Sequence, residues 1–156
     1  MLKIDYIFGA SDNGFPLDKS KLTGDVAVDS KSEYVSSLVA GKVAALDGNG
    51  NIKLCDGASD FAEGFIINDA SGYFMENTPA LASGVVPVLV GGGICETDQV
   101  VETDIKPGDK LYVGTGDNAG LLTKNDPTGD DKNGQVFAIA RSGNSAANQT
   151  IKVRFL

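Results

Sequence analysis

The sequence predicts an all-β fold, either a compact β-barrel or a β-sandwich of many short strands, with at most one short helix. Three observations predict it. Apolar residues recur with a period of two in Asp25-Val26-Ala27-Val28, in Asn51-Ile52-Lys53-Leu54 and from Thr150 to Phe155, which is how half-buried strands read. Shorter runs are apolar throughout: Gly64-Phe65-Ile66-Ile67, Val85 to Val90, and Val136 to Ala140. Such runs are strands covered on both faces, or strands inside a small barrel. Gly, Asn and Asp turns separate the runs and leave about ten to twelve strand-like segments.

Taken in order, Leu2-Lys3-Ile4-Asp5-Tyr6-Ile7-Phe8 is an alternating strand with aromatic positions, and Gly9 to Gly24 holds Gly, Pro, Ser, Asp and Asn with few apolar anchors. Residues 1–24 therefore read as an N-terminal strand with a flexible arm, and residues 25–156 as one barrel or sandwich domain. The first strand is either an ordinary strand followed by a surface loop or an arm that adds to another subunit's sheet. A short helix fits within Ser30 to Leu38, where Ser and Asp are available as caps. Asp47-Gly48-Asn49-Gly50 joins Val43–Leu46 to Ile52–Leu54 as a hairpin turn, and Gly114 to Gly120 joins Lys110–Val113 to Leu121–Lys124. Such turns take residues that tolerate positive φ. A polar connection from Arg141 to Gln149 precedes the last strand. The expected core comprises Val26, Val28, Val43, Leu46, Ile52, Leu54, Phe65, Ile67, Val88, Val90, Leu111, Val113, Val136, Ile139, Ile151 and Val153.

Composition narrows function mainly by exclusion. The chain of 156 residues contains no His and no Trp, so Ser-His-Asp and Cys-His nucleophile systems and His-ligated zinc are unavailable. Its net charge of −8 argues against nucleic-acid phosphate as a partner. The charge is unevenly placed: nine acids and no Lys or Arg lie between Lys53 and Lys106, while the rest of the chain is nearly neutral. These acids are solvated loop tips, or they mark an electronegative outer end opposite a neutral attachment end. On the second reading the acidic middle faces solvent and one or both mildly basic terminal strands face a partner. Cys55 and Cys95 lie in no ligand spacing and read as two buried thiols. No signal-peptide stretch and no run near the length of a membrane helix is present, which points to synthesis in the cytoplasm and no membrane partner.

Several motifs imitate chemistry without completing it. Gly91-Gly92-Gly93 follows a strand but lacks the Gly-Lys-Ser/Thr ending of a phosphate loop, so a bend or bulge explains it better. The Asp47 to Asn51 segment has oxygen side chains at alternate positions, yet Ile52 stands where a calcium loop needs Gly and Ala58 where it needs Glu. Asn125 to Asp131 reads as a solvated Asp-Pro turn. Glu96/Asp98 and Glu102/Asp104 have the i, i+2 spacing of same-face carboxylates, but a solvated acidic edge that discourages strand pairing is the simpler account. Ser142 and Ser145 sit in a Gly/Asn/Ser loop with no Lys singled out as a base. No enzyme, cofactor or metal site is expected.

From about Val35 to the C-terminus the chain resembles head decoration proteins of tailed phages, also called capsid cement proteins. The resemblance rests on an ordered set of pieces: Val39 to Leu54, Ala62 to Ala70, Val86 to Gly92, Ile105 to Tyr112 with Gly120 to Thr123, then Gly134 to Ala140 with Ile151 to Phe155. It implies a small β-barrel or sandwich that binds the outer surface of an icosahedral head, typically as a homotrimer at three-fold positions, with the major capsid protein as partner. It implies no catalytic residues and no cofactor. In some decoration families an N-terminal arm joins a capsid β-sheet, and Leu2 to Phe8 is the matching segment. The candidate capsid or subunit contacts are Leu2, Ile4, Tyr6, Phe8 and Phe15 near the N-terminus, with Lys152 and Arg154 in the last strand. The alternative is a phage or cell-surface carbohydrate-binding module, for which Tyr73-Phe74 beside Glu76-Asn77, and Tyr112 near Asp117-Asn118, are the aromatic candidates.

Overall fold

The alternating and all-apolar runs become eleven short strands in the computed structural model, which describes residues 1–7, 13–22, 33–71, 84–129 and 134–156. In chain order they are β1 (Leu2–Ile7), β2 (Asn13–Pro16), β3 (Val43–Leu46), β4 (Ile52–Leu54), β5 (Gly64–Ile66) and β6 (Val85–Leu89). There follow β7 (Gly93–Thr97), β8 (Lys110–Val113), β9 (Leu122–Thr123), β10 (Ala138–Ala140) and β11 (Ile151–Phe155). They form a six-stranded sheet in the order β1-β7-β11-β10-β8-β9 and a five-stranded sheet in the order β2-β6-β5-β3-β4. Every pairing between these strands is antiparallel. The fold is all-β as expected. The barrel alternative is not realised, because β1 and β9 stand at opposite ends of their sheet and do not pair.

Burial explains why some strands alternate and others do not. The inner core lies between the sheets, with Val43, Ala45, Phe65 and Leu89 from one and Cys95, Leu111, Val113, Ile151, Val153 and Phe155 from the other. Successive residues of the five-stranded sheet point the opposite way, so Ala44, Ile52, Ile66, Val86 and Val88 build a second core on its far face. That outer core is closed by Phe15, Leu17, Val35 and Leu38. Strands β3, β5 and β6 are thus buried on both faces and carry no polar alternation. Among the described residues, the six-stranded sheet is buried on one face only. Its strand β11 alternates accordingly: Ile151, Val153 and Phe155 are buried, Lys152 is half-buried and Arg154 is exposed.

The one α-helix among the described residues, α1, spans Glu33–Ser37 and contributes Val35 to the outer core; the capping positions expected at its start lie outside the described residues. The chain passes from the five-stranded sheet to the six-stranded one between β6 and β7. Gly91 (φ 85°) and Gly92 (φ 89°) make that crossing in the left-handed region, which a side chain at either position would strain. The glycine triplet is a bend between sheets. Eight of the fourteen expected core positions within the described residues are buried, and Leu46 is 38% exposed because β3 ends there and enters its turn. Leu54, Ile67, Val90, Val136 and Ile139 are half-buried, and Val26 and Val28 lie outside the described residues. The run from Val136 is paired as a strand only over Ala138–Ala140.

Candidate docking surface

On the open face of the six-stranded sheet, three strands distant in sequence come into register. Lys3 of β1 and Lys152 of β11 both stand opposite Glu96 of β7. The Lys3 ammonium lies 3.5 Å and the Lys152 ammonium 3.6 Å from Glu96. A β-bulge between Ile4 and Tyr6 adds Asp5 to this row, 2.8 Å from Lys152 and 3.7 Å from Lys3. The Lys152 hydrogen bond holds the Asp5 carboxyl below its ordinary range, and the Asp5 carboxylate raises the Lys152 ammonium in turn. Close by, the Met1 amino group donates to Asp98 at 2.7 Å and to the Ala40 carbonyl at 2.9 Å.

This arrangement corrects two expectations. Glu96 does not belong to a solvated acidic edge, because β7 is an interior strand with β1 and β11 on either side. The charge separation along the chain also does not persist in space. The basic terminal strands lie against part of the acidic middle and pair with it, so they do not form a separate basic face. The second acidic pair is likewise engaged. Glu102 accepts hydrogen bonds from the Thr123 hydroxyl, the Lys124 N–H and the Asn125 amide, and Asp104 takes Lys124 at 2.6 Å.

The turn motifs are internally satisfied. Asp47 accepts from the Asn49 and Asn51 N–H groups at 2.8 and 2.9 Å, the geometry of a hairpin turn. Asp126 accepts from the Thr128 N–H and hydroxyl and from the Gly134 N–H. Cys55 and Cys95 are free and buried in the inner core, where burial pushes both thiols up to about 12.

The expected contact residues divide between several surroundings. Leu2 packs half-buried on the inner core and Ile4 is 38% exposed at the edge of its sheet. Tyr6 pairs in register with Ile94, and Phe8 lies outside the described residues. Lys152 belongs to the ion row, and Arg154 stands exposed between Ile94 and Ile139. Phe15 is in the other sheet and is buried in the outer core. The N-terminal segment, over its described part, pairs with β7 of its own chain and forms an edge of that sheet. Of the aromatic candidates for carbohydrate, Tyr112 is half-buried on β8, and residues 73–77 lie outside the described residues. Sequence reasoning missed Phe61, which is 67% exposed in the loop before β5. The available signal was an aromatic residue set among Gly, Ser and Asp and outside every strand-like run. Two surface clefts, of about 440 and 190 Å³, lie beside Met1–Leu2 and beside Glu102–Thr123.

No protein-family model matches the chain, and no curated protein matches it. Among solved structures, a chain of "The capsid of Myoviridae Phage XM1" aligns with this one over 96% of both chains, at 17% identity and a TM-score of 0.44.

Proposed function

We propose that this chain is a structural, non-enzymatic virion protein that binds the outer surface of a tailed-phage head and stabilises it, as a homotrimer at three-fold positions on the major capsid protein. The observation that carries the reading is where the pieces of the sequence resemblance fall. In chain order they supply the β3–β4 hairpin, then β5, β6, β8, β9, β10 and β11. They supply eight of the eleven described strands, from both sheets and without β1, β2 and β7, so the resemblance is not confined to turns.

The physical character of the body supports the same role. Two cores on the faces of one sheet make a rigid unit, and many identical modest contacts around a shell multiply through avidity. A candidate contact is β1, the longest edge strand among the described residues, with six residues against four, three and two for β2, β4 and β9. Lys3 and Asp5 would discourage pairing on a free edge, but here they are tied into the row with Glu96 and Lys152. The bulge after Ile4 limits regular pairing to Leu2–Ile4.

The test is co-sedimentation of the purified protein with heads lacking decoration. Saturable binding, together with heads that withstand higher temperature, is expected. No binding and no protection would refute the reading. An Ile4→Lys variant should bind less, whereas deleting Met1–Phe8 would also uncover β7 and confuse the result.

A further inference from the structure

One loop presents an apolar side chain for which the fold has no use. Between β4 and β5 the chain is held by a dense set of bonds. The Asp60 N–H donates to the Asp56 carbonyl at 2.8 Å, and the Asp60 carboxylate accepts from the Asp56 N–H and from Lys53, both at 2.8 Å. The Gly57 N–H donates to the Gly114 carbonyl at 3.0 Å and the Thr115 hydroxyl to the Asp56 carboxylate at 2.9 Å. At the far side the Glu63 N–H donates to the Ala44 carbonyl at 2.9 Å. On this frame Phe61 stands 67% exposed, the largest exposed apolar side chain among the described residues. Leu46, exposed where β3 runs out, lies at the same end of the five-stranded sheet.

Single exposed apolar residues are ordinary. Phe61 differs because its loop is already ordered by bonds on both sides, so little freedom remains to be lost when the ring is covered. Aromatic side chains presented in this way are the usual anchors of interfaces. Of the loop's carboxylates, Asp60 is paired with Lys53 and Asp56 accepts from the Thr115 hydroxyl and the Ala58 N–H, so Glu63, two residues beyond the ring, sets the chemistry of a partner: an apolar pocket with a cation at its edge.

We propose that Phe61 anchors a docking contact, inserting into an apolar pocket edged with Lys or Arg on a capsid subunit. The inference rests on the head-binding reading and adds a contact separate from the β1 edge. The full-length chain, its Phe61→Ala variant and its Glu63→Lys variant are to be compared by co-sedimentation with undecorated heads at low and high ionic strength. Sedimentation velocity of the free proteins and their unfolding midpoints complete the set. Phe61→Ala should keep its unfolding midpoint and bind heads about tenfold more weakly or worse. Wild-type binding should weaken with salt, and Glu63→Lys should weaken binding and flatten that dependence. Unchanged head affinity in Phe61→Ala, with wild type binding normally, overturns the inference and leaves the head-binding reading in place. Stronger binding by Glu63→Lys overturns the cationic rim. Loss of self-association with head contacts retained would assign Phe61 to an interface between copies and overturn the capsid pocket. Failure of the wild type to bind heads overturns the reading and the inference together.

Discussion

Two phenylalanines four positions apart provide a matched test of how this fold is held together. Phe65 is 0% exposed on β5 and Phe61 is 67% exposed. The Phe65 ring meets Phe137 and Phe155 edge-on, with centroids 5.1 Å away in each case and interplanar angles of 69° and 81°. Phe155 belongs to β11, so this cluster joins the two sheets across the inner core. Burying a phenylalanine stabilises by about 1.5–3 kcal/mol, and each edge-to-face contact adds about 0.5–1.5 kcal/mol. With the cavity left behind, Phe65→Ala should cost about 4 kcal/mol, within the ~3–5 kcal/mol usual for Phe truncation. At about 2–4 °C per kcal/mol for a chain of this size, the midpoint falls by about 8–16 °C. Phe61→Ala should change stability by about 0.5 kcal/mol or less. Urea unfolding followed by far-UV circular dichroism and tyrosine fluorescence reads both variants, since the chain has no Trp. A Phe65→Ala loss below about 1.5 kcal/mol, or equal losses in both variants, would refute the two-sheet core.

Three further outcomes follow from the polar and thiol groups. Asp5 has a folded pKa below its ordinary 3.8, chiefly through Lys152, so its stabilising contribution is complete above that value and is lost as pH falls through the folded one. Asp5→Asn should therefore lower the thermal midpoint at pH 7 and match wild type in strong acid; a pH-independent difference would contradict the ion row. With thiols pushed up to about 12 in the inner core, Cys55 and Cys95 should resist aromatic disulfide reagents at pH 8 and both react in denaturant; rapid labelling of the native protein would contradict their burial. Asn144 bridges the Ile105 N–H at 2.9 Å and the Glu102 carbonyl at 2.8 Å, so Asn144→Ala should cost about 1–3 kcal/mol in urea unfolding, and a neutral result would refute the bridge.

What could be read in advance was local. Asp47 to Asn51 announces its hairpin because the carboxylate and the two amides it binds lie within five residues. The unbroken run at β6 shows its two-sided burial directly. Long-range pairing was not legible. Nothing near Glu96 indicates that Lys3 and Lys152 will flank it, since register between strands so far apart is set by the whole sheet. For that reason the uneven charge along the chain suggested a neutral attachment end with mildly basic terminal strands, set apart from the acids that Lys3 and Lys152 in fact meet. The exposure of Leu46 depends on where β3 stops, and the prominence of Phe61 on a loop ordered by Gly114 and Thr115. Of the expected contacts, Lys152 meets β1 through Asp5, while Phe15 is taken up by a core whose existence no single strand reveals.

Cryo-electron microscopy of undecorated heads mixed with purified protein is the decisive experiment for the proposed decoration of a phage head. Ordered density that fits the two-sheet body is expected at three-fold positions on the outer surface, with Phe61 against the capsid. Heads that remain bare at saturating protein, or density confined to the tail, would contradict the proposal.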